Sequence, residues 1–161
     1  MRIEKVVVNS SPLIVLFRSG QAELLPQMFK SILVPEQVYQ EIVLEGPLDE
    51  VKRMLPNASW YSRVNVEISL KVASWNLGEG ESSVFSLASQ KPEYRALVDD
   101  LAARRCAKVL GIEILGTGGL LVLAKKRGLI QSIRKRIERL REAGLYMSDD
   151  VVELLAFKAE E

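Results

Sequence analysis

The sequence predicts a single three-layer α/β/α domain spanning residues 1–161 and built around a mainly parallel central sheet. Two observations carry this prediction. Short β-branched or apolar runs alternate along the chain with segments of helical period, the pattern of a parallel sheet with right-handed crossovers and helices on both faces. The chain has 161 residues, 48% of them apolar, which is enough for one sizeable core and too little for two ordinary domains. Repeats, linkers and low-complexity segments are absent from the sequence.

The elements follow in order. Residues 3–8 form a β-branched run that stops at Asn9-Ser10-Ser11-Pro12, where a capping side chain precedes a proline at a first helical turn. Leu13, Ile14, Leu16 and Phe17 supply that helix with its apolar stripe, and Gly20 ends it. A short helix over 22–29 and a strand over 32–34 come next, and Pro35 opens a helix carrying Val38, Glu41 and Ile42. Gly46-Pro47 breaks it and a further helix spans 48–55, whereas 59–67 has too weak a period to assign. After Leu77-Gly78-Glu79-Gly80-Glu81 the pattern predicts a helix over 82–89, a buried strand over 95–98, a helix over 102–110 closed by Gly111, and a strand over 112–115. Thr117-Gly118-Gly119 starts a helix running to Lys126, a basic helix spans about 129–143, and the last begins near Ser148-Asp149. The helices from about 129 onward are expected to pack on the main body or be appended to it.

Composition removes whole classes of chemistry. The chain contains no histidine, which excludes Ser-His-Asp and Cys-His catalysis, histidine general bases and histidine-ligated zinc. The single Cys106 cannot form an internal disulfide, and its Ala-Arg-Arg-Cys-Ala-Lys setting predicts a small residue packed inside a helix. What remains for metal binding is oxygen, from Asp, Glu, Asn and carbonyl groups, which suits Mg²⁺ or Mn²⁺. The 22 basic and 21 acidic side chains nearly cancel, so a polyanion would have to be met by a local patch rather than by the whole molecule. No opening signal segment and no apolar run of membrane-spanning length is present, and a cytoplasmic protein is expected.

In an open parallel sheet, ligands bind beyond the carboxyl ends of the strands, where strand order reverses. Asn9 follows the first strand, Asp99 and Asp100 follow the strand over 95–98, and Glu41 and Glu81 sit on helices able to face the same edge. Each also has a plain structural reading. Asn9, Ser10, Asp99 or Asp100 would serve as a helix cap, Glu41 as a solvated helix residue, and Glu81 as a carboxylate favoured by the dipole at a helix start.

The order of these features resembles the PIN-domain family, and within it the VapC-like toxin ribonucleases, across nearly the whole chain. Val6-Val7-Val8-Asn9-Ser10-Ser11-Pro12-Leu13-Ile14 is similar to the first PIN motif, and Val34-Pro35-Glu36-Gln37-Val38-Tyr39-Gln40-Glu41-Ile42 to the second. Leu77-Gly78-Glu79-Gly80-Glu81-Ser82 resembles the third, and Leu97-Val98-Asp99-Asp100-Leu101-Ala102-Ala103-Arg104-Arg105 the fourth. Gly111-Ile112-Glu113-Ile114-Leu115-Gly116-Thr117, Ala124-Lys125-Lys126-Arg127-Gly128-Leu129-Ile130 and Leu140 to Ser148 are similar to a PIN branch of unknown function.

The resemblance implies a metal-dependent endoribonuclease, the toxin of a toxin–antitoxin pair, that hydrolyses RNA phosphodiester bonds with Mg²⁺ or Mn²⁺. It implies Glu41, Glu81 and Asp99 as catalytic residues, and Asn9, Glu41, Glu81, Asp99 and Asp100 as the metal set. Asp100 is the alternative or supporting partner for the last place. Ser10 and Thr117 are candidates to bond a phosphate or a ligand carboxylate. It further implies an RNA substrate, a cognate antitoxin whose peptide threads over the acidic pocket, and a homodimer.

The family usually has Asp where this chain has Asn9. A neutral amide there motivates a second reading, a PIN-fold protein that binds RNA or a protein partner with weakened cleavage. A dinucleotide-binding reading fits less well, because Gly78-Glu79-Gly80 and Gly116-Thr117-Gly118-Gly119 lack the spaced glycine fingerprint directly after the first strand.

Basic residues able to meet phosphate are Arg104, Arg105, Lys108, Lys125, Lys126 and Arg127, and the series from Arg134 to Arg141, which is interleaved with Glu138 and Glu142 at pairing distance along a helix. Trp60, Tyr61 and Trp75 could stack on bases or pack in the protein. Leu16, Phe17, Leu24 and Leu25 are expected in the core, with an exposed dimer face as the other possibility.

Overall fold

The computed structural model describes residues 2–161. Five parallel strands form its sheet: β1 (Lys5–Val8), β2 (Ser31–Pro35), β3 (Ser62–Val64), β4 (Arg95–Leu97) and β5 (Ile114–Leu115), in the order β3-β2-β1-β4-β5. The expected mainly parallel sheet is thus parallel throughout. Val6, Val7 and Val8 of the central strand are all fully buried, which requires cover on both faces and explains an unbroken apolar run rather than an alternating one.

The helices are α1 (Ser10–Arg18), α2 (Leu24–Met28), α3 (Glu36–Tyr39), α4 (Glu50–Met54), α5 (Leu70–Ala73), α6 (Glu79–Gln90), α7 (Leu101–Leu110), α8 (Thr117–Lys126), α9 (Ile133–Glu142) and α10 (Asp149–Lys158). Connections from β1 to β2 and from β2 to β3 step one way along the sheet, and those from β3 to β4 and β4 to β5 step the other way. Right-handed crossovers put helices of the two sets on opposite faces. Leu16, Phe17, Leu24 and Leu25 are buried in the core, as is Cys106 on α7. Gly111 closes α7 in the left-handed region, with φ of 71°, where a side chain would be strained.

Several boundaries differ from the sequence expectation. The helix expected over 48–55 is an α-turn from Asp49, which caps Glu50, followed by a 3₁₀ turn at Leu55–Asn57. The unassigned stretch contains β3, and α5 was not anticipated at all; at three and four residues, neither is long enough to express a period. The basic helix starts at Ile133 rather than near 129, because Gly128 adopts φ of 74° and breaks the chain between α8 and α9. Trp60 stacks on Phe17 and meets Tyr61 edge to face, so these rings are packed against protein.

α9 and α10 pack on α8 and on each other. The Glu161 side chain closes this unit by returning to the start of α9, where it accepts from the Ile133 amide at 2.8 Å, the Arg134 amide at 3.2 Å and the Ser132 hydroxyl at 3.0 Å. Lys125 donates to it at 3.2 Å. Desolvation pushes the Glu161 carboxyl up, but these donors outweigh it and bring its pKa from 4.5 down to about 2. A carboxyl with a depressed folded-state pKa stabilises the fold above its unfolded pKa and loses that contribution as pH falls through the folded value. Glu161→Gln is therefore expected to lower stability at pH 7 by about 1 kcal/mol, a typical capping contribution. The difference should shrink as pH falls from 5 towards 2, read from urea midpoints across that range.

Candidate functional site

Strand order reverses between β1 and β4, the place where open parallel sheets bind ligands beyond the carboxyl ends of their strands. The strand ladder continues past both strands: the Asn9 amide donates to the Leu97 carbonyl at 3.1 Å, and the Val98 amide to the Leu115 carbonyl at 3.1 Å. These bonds fix the residues that follow, Asn9 on one side and Asp99 on the other. Asn9 is 5% exposed, and although it precedes α1 its side chain makes no capping bond.

Glu41 reaches this edge from a widened turn. α3 continues directly into a π-helical segment, Gln40–Leu44, a local form found often at functional sites. The Glu41 carboxylate accepts from the Ser10 hydroxyl at 2.6 Å and from the Gly80 amide at 2.9 Å, which ties the starts of α1 and α6 together. Gly80 makes this approach possible, since a Cβ there would stand 2.6 Å from both Glu41 oxygens. Glu41 is therefore a specifically held carboxylate rather than a solvated one.

Glu81 lies in the first turn of α6, which starts at Glu79, three residues before the start the sequence predicts. Its Oε2 atom is buried and has no hydrogen-bond donor. Burial, followed by the proximity of the Asp100 carboxylate and then the charge of Glu41, raises the Glu81 pKa from 4.5 to about 7. Two carboxylates offer each other only acceptors, so they bond only when one is protonated.

The neighbouring acids have separate surroundings. Asp99 accepts from the Thr117 amide at 2.8 Å and the Thr117 hydroxyl at 2.6 Å, which places its charge at the amino end of α8. Thr117 is fully buried, so this anchor is rigid. Asp100 caps α7 by accepting from the Ala102 amide at 2.9 Å and adds its charge to the environment of Glu81. Asn9, Glu41, Glu81, Asp99, Asp100, Ser10 and Thr117 thus all belong to the carboxyl edge of the sheet.

Among the described residues, no three Asp, Glu or Cys side chains are placed to hold one ion together. The donors nonetheless suit a hard divalent cation, because Mg²⁺ commonly keeps several waters and binds through one or two carboxylates. Glu81 meets that requirement, with a buried oxygen lacking a donor and a charge destabilised by its acidic neighbours.

The basic candidates divide. Arg104 reaches the cluster: a Cβ on Gly116 would lie 2.6 Å from its Nη2 atom and 3.3 Å from Asp99 Oδ1. Arg105 is exposed on the same helix. Lys125 and Lys126 lie at the other end of α8, about 12 Å along the axis from Thr117. Lys125 is bound there to Glu161 and the Gln131 carbonyl. Arg134 pairs with Glu153 and Arg141 with Asp149, as solvated helix faces do. The sequence reading did not single out Gly80 and Gly116 as part of the site. The available signal was a glycine directly before an acid or hydroxyl at a helix start, where close backbone approach is useful.

The sign of the Glu81 effect is testable. Its folded pKa lies above the unfolded value, so its cost is absent below pH 4.5 and grows as pH rises through about 7. In EDTA at pH 8, Glu81→Gln should stabilise the protein by about 1–3 kcal/mol, allowing for partial solvent screening. The gain should vanish near pH 4, as measured by thermal melts in parallel buffers.

No curated protein and no solved structure matches the chain. A family model described as PIN domain matches residues 5–161, a span that takes in all five strands and every residue of the acidic edge. By that match over almost its full length, the chain belongs to the PIN-domain family.

Proposed function

We propose that this protein is a metal-dependent endoribonuclease, the toxin of a toxin–antitoxin pair, acting through the acidic edge between β1 and β4. The observation that carries this reading is a Glu81 oxygen that is buried and without a donor, beside the charges of Asp100 and Glu41, at the edge where strand order reverses. A structural role alone would favour a hydrogen-bonded or neutral group there. Membership of a family of nucleases supports the same conclusion.

Glu81 and Asp99 would hold Mg²⁺ or Mn²⁺, with Asp100, Glu41 and the Asn9 carbonyl oxygen completing the set directly or through water. When bound, the ion supplies Lewis-acid polarisation of the phosphate and a lowered pKa for water. The protein contributes fixed geometry. Ser10 and the Gly80 amide orient Glu41, and Thr117 orients Asp99 through two bonds, so neither carboxylate has to be reorganised when substrate arrives. Glu81, whose charge is disfavoured by burial and by Asp100 and Glu41, would gain most from a bound cation. The partners that accompany this reading are an RNA substrate, a cognate antitoxin covering the pocket, and a second copy of the chain in a homodimer. The described residues contain no helix long and apolar enough to cross a membrane.

Asn9 favours one further reading, a PIN fold that binds RNA or a protein partner and cleaves weakly. It places a neutral amide in a buried position of the edge, so the site has one negative charge fewer than an all-acidic set.

The purified protein should cleave a mixed RNA pool in Mg²⁺ or Mn²⁺ and not in EDTA, and Glu41→Gln, Glu81→Gln and Asp99→Asn should each abolish the cleavage. Activity indifferent to those substitutions would refute the assignment. Ser10→Ala and Thr117→Val remove orienting bonds and should each cost about 10–100-fold in rate. Gly80→Ala should cost at least as much, because its Cβ collides with Glu41. Asn9→Asp separates the two readings: a modest gain supports the nuclease, whereas activity that appears only in the variant supports the binding protein.

A further inference from the structure

We propose that the groove between α7 and β5 carries the RNA strand leaving the acidic edge, with Arg104 holding the phosphate beside the cluster and Lys108 the following one. This rests on the nuclease reading and specifies where its substrate lies.

Arg104 is placed for that task by a gap in the chain opposite. Gly116 has no side chain, and its Cβ position would stand 2.6 Å from Arg104 Nη2, so the guanidinium occupies the space a side chain would fill. The same position is 3.3 Å from Asp99 Oδ1, which brings the guanidinium close to the acidic edge. Both Asp99 oxygens are already bonded to Thr117, and Arg104 takes part in none of the ion pairs among the described residues. Its planar fork remains available for phosphate.

The groove continues from Arg104 along the helix. It encloses about 430 Å³ and is lined by Arg104, Ala107, Lys108, Gly111, Ile112 and Ile114, with Glu113 at its side. Lys108 lies one turn beyond Arg104 on the same side of α7, is exposed, and enters no ion pair among the described residues. Glu113 is drawn towards Arg95, at 3.9 Å. Beyond Gly111 there is open space, because the position that ends α7 has no neighbour within 4 Å. Arg134, Arg141 and Lys125, by contrast, are paired with Glu153, Asp149 and Glu161.

Two cations in line with an acidic cluster suit a strand of repeating phosphates. An acidic peptide would gain the same cations, but it offers no phosphodiester for the reaction proposed at the acidic edge. Single-stranded RNA is therefore the favoured occupant.

The test is binding of a fluorescein-labelled single-stranded RNA dodecamer to the full chain in EDTA, measured by anisotropy across a salt series. The Arg104→Ala/Lys108→Ala double variant should weaken binding at least about tenfold at low salt and flatten the log K against log salt slope by about 1.4, two phosphate contacts at about 0.7 each. Arg104→Lys should retain the slope, and the charge-matched control Lys135→Ala/Arg139→Ala should change neither quantity. An unchanged slope in the double variant, or an equal loss in the control, would overturn the groove while metal-dependent cleavage by the wild type still upheld the nuclease. A wild type that neither binds nor cleaves RNA would overturn both. Binding of polyglutamate that depends on Arg104 and Lys108 as strongly as RNA binding does would overturn the groove in favour of an acidic peptide.

Discussion

β1 and β4 lie side by side while the chain leaves them towards opposite edges of the sheet, and the acidic edge depends on that arrangement. Helices that follow the two strands diverge, and the residues directly after the strands meet at the edge between them. The ladder bonds from Asn9 to Leu97 and from Val98 to Leu115 hold those residues in register. Because β1 is buried on both faces, a shift of register would disrupt the core itself, which ties the geometry of the site to the stability of the whole fold.

Bringing four carboxylates to one edge is unfavourable, and the protein manages the cost differently at each. Glu41 is satisfied by a hydroxyl and an amide, Asp99 by the amide and hydroxyl of Thr117, and Asp100 by the amino end of α7. Among these carboxylates Glu81 alone is left with a buried oxygen lacking a donor, and its burial, with the charges of Asp100 and Glu41, raises its pKa. A carboxyl perturbed in this way, by burial together with acidic neighbours, is the kind of group found most often at functional sites. The neutral Asn9 lessens that field, easing the fold while weakening the attraction for metal.

Glycines set the approach distances. Gly80 lets the Glu41 carboxylate rest on the first turn of α6, and Gly116 lets the Arg104 guanidinium lie beside Asp99. At both places a methyl group would collide with a charged side chain from a distant part of the sequence. The acidic edge and the cationic groove beside it are thus two consequences of the same device, a helix start stripped of its side chain.

Strand positions, the parallel sheet and the residues that terminate β1 and β4 were legible in the sequence, because burial on both faces leaves unbroken apolar runs and the polar residue after each run is then conspicuous. The motif order also pointed to Asn9, Glu41, Glu81 and Asp99. β3 and α5 escaped, being too short for a period to register, and the start of α9 was misplaced because Gly128 acts through backbone conformation rather than apolar pattern. Only the tertiary structure decided that Glu41 meets Ser10 and Gly80, 31 and 39 residues away, that Asp99 is anchored by Thr117 while Asp100 faces Glu81, and that Arg104 stands free at the cluster while Lys125 is committed elsewhere. Periodicity records whether a residue is buried; the partner it meets there depends on strand order, a property no local stretch of chain contains.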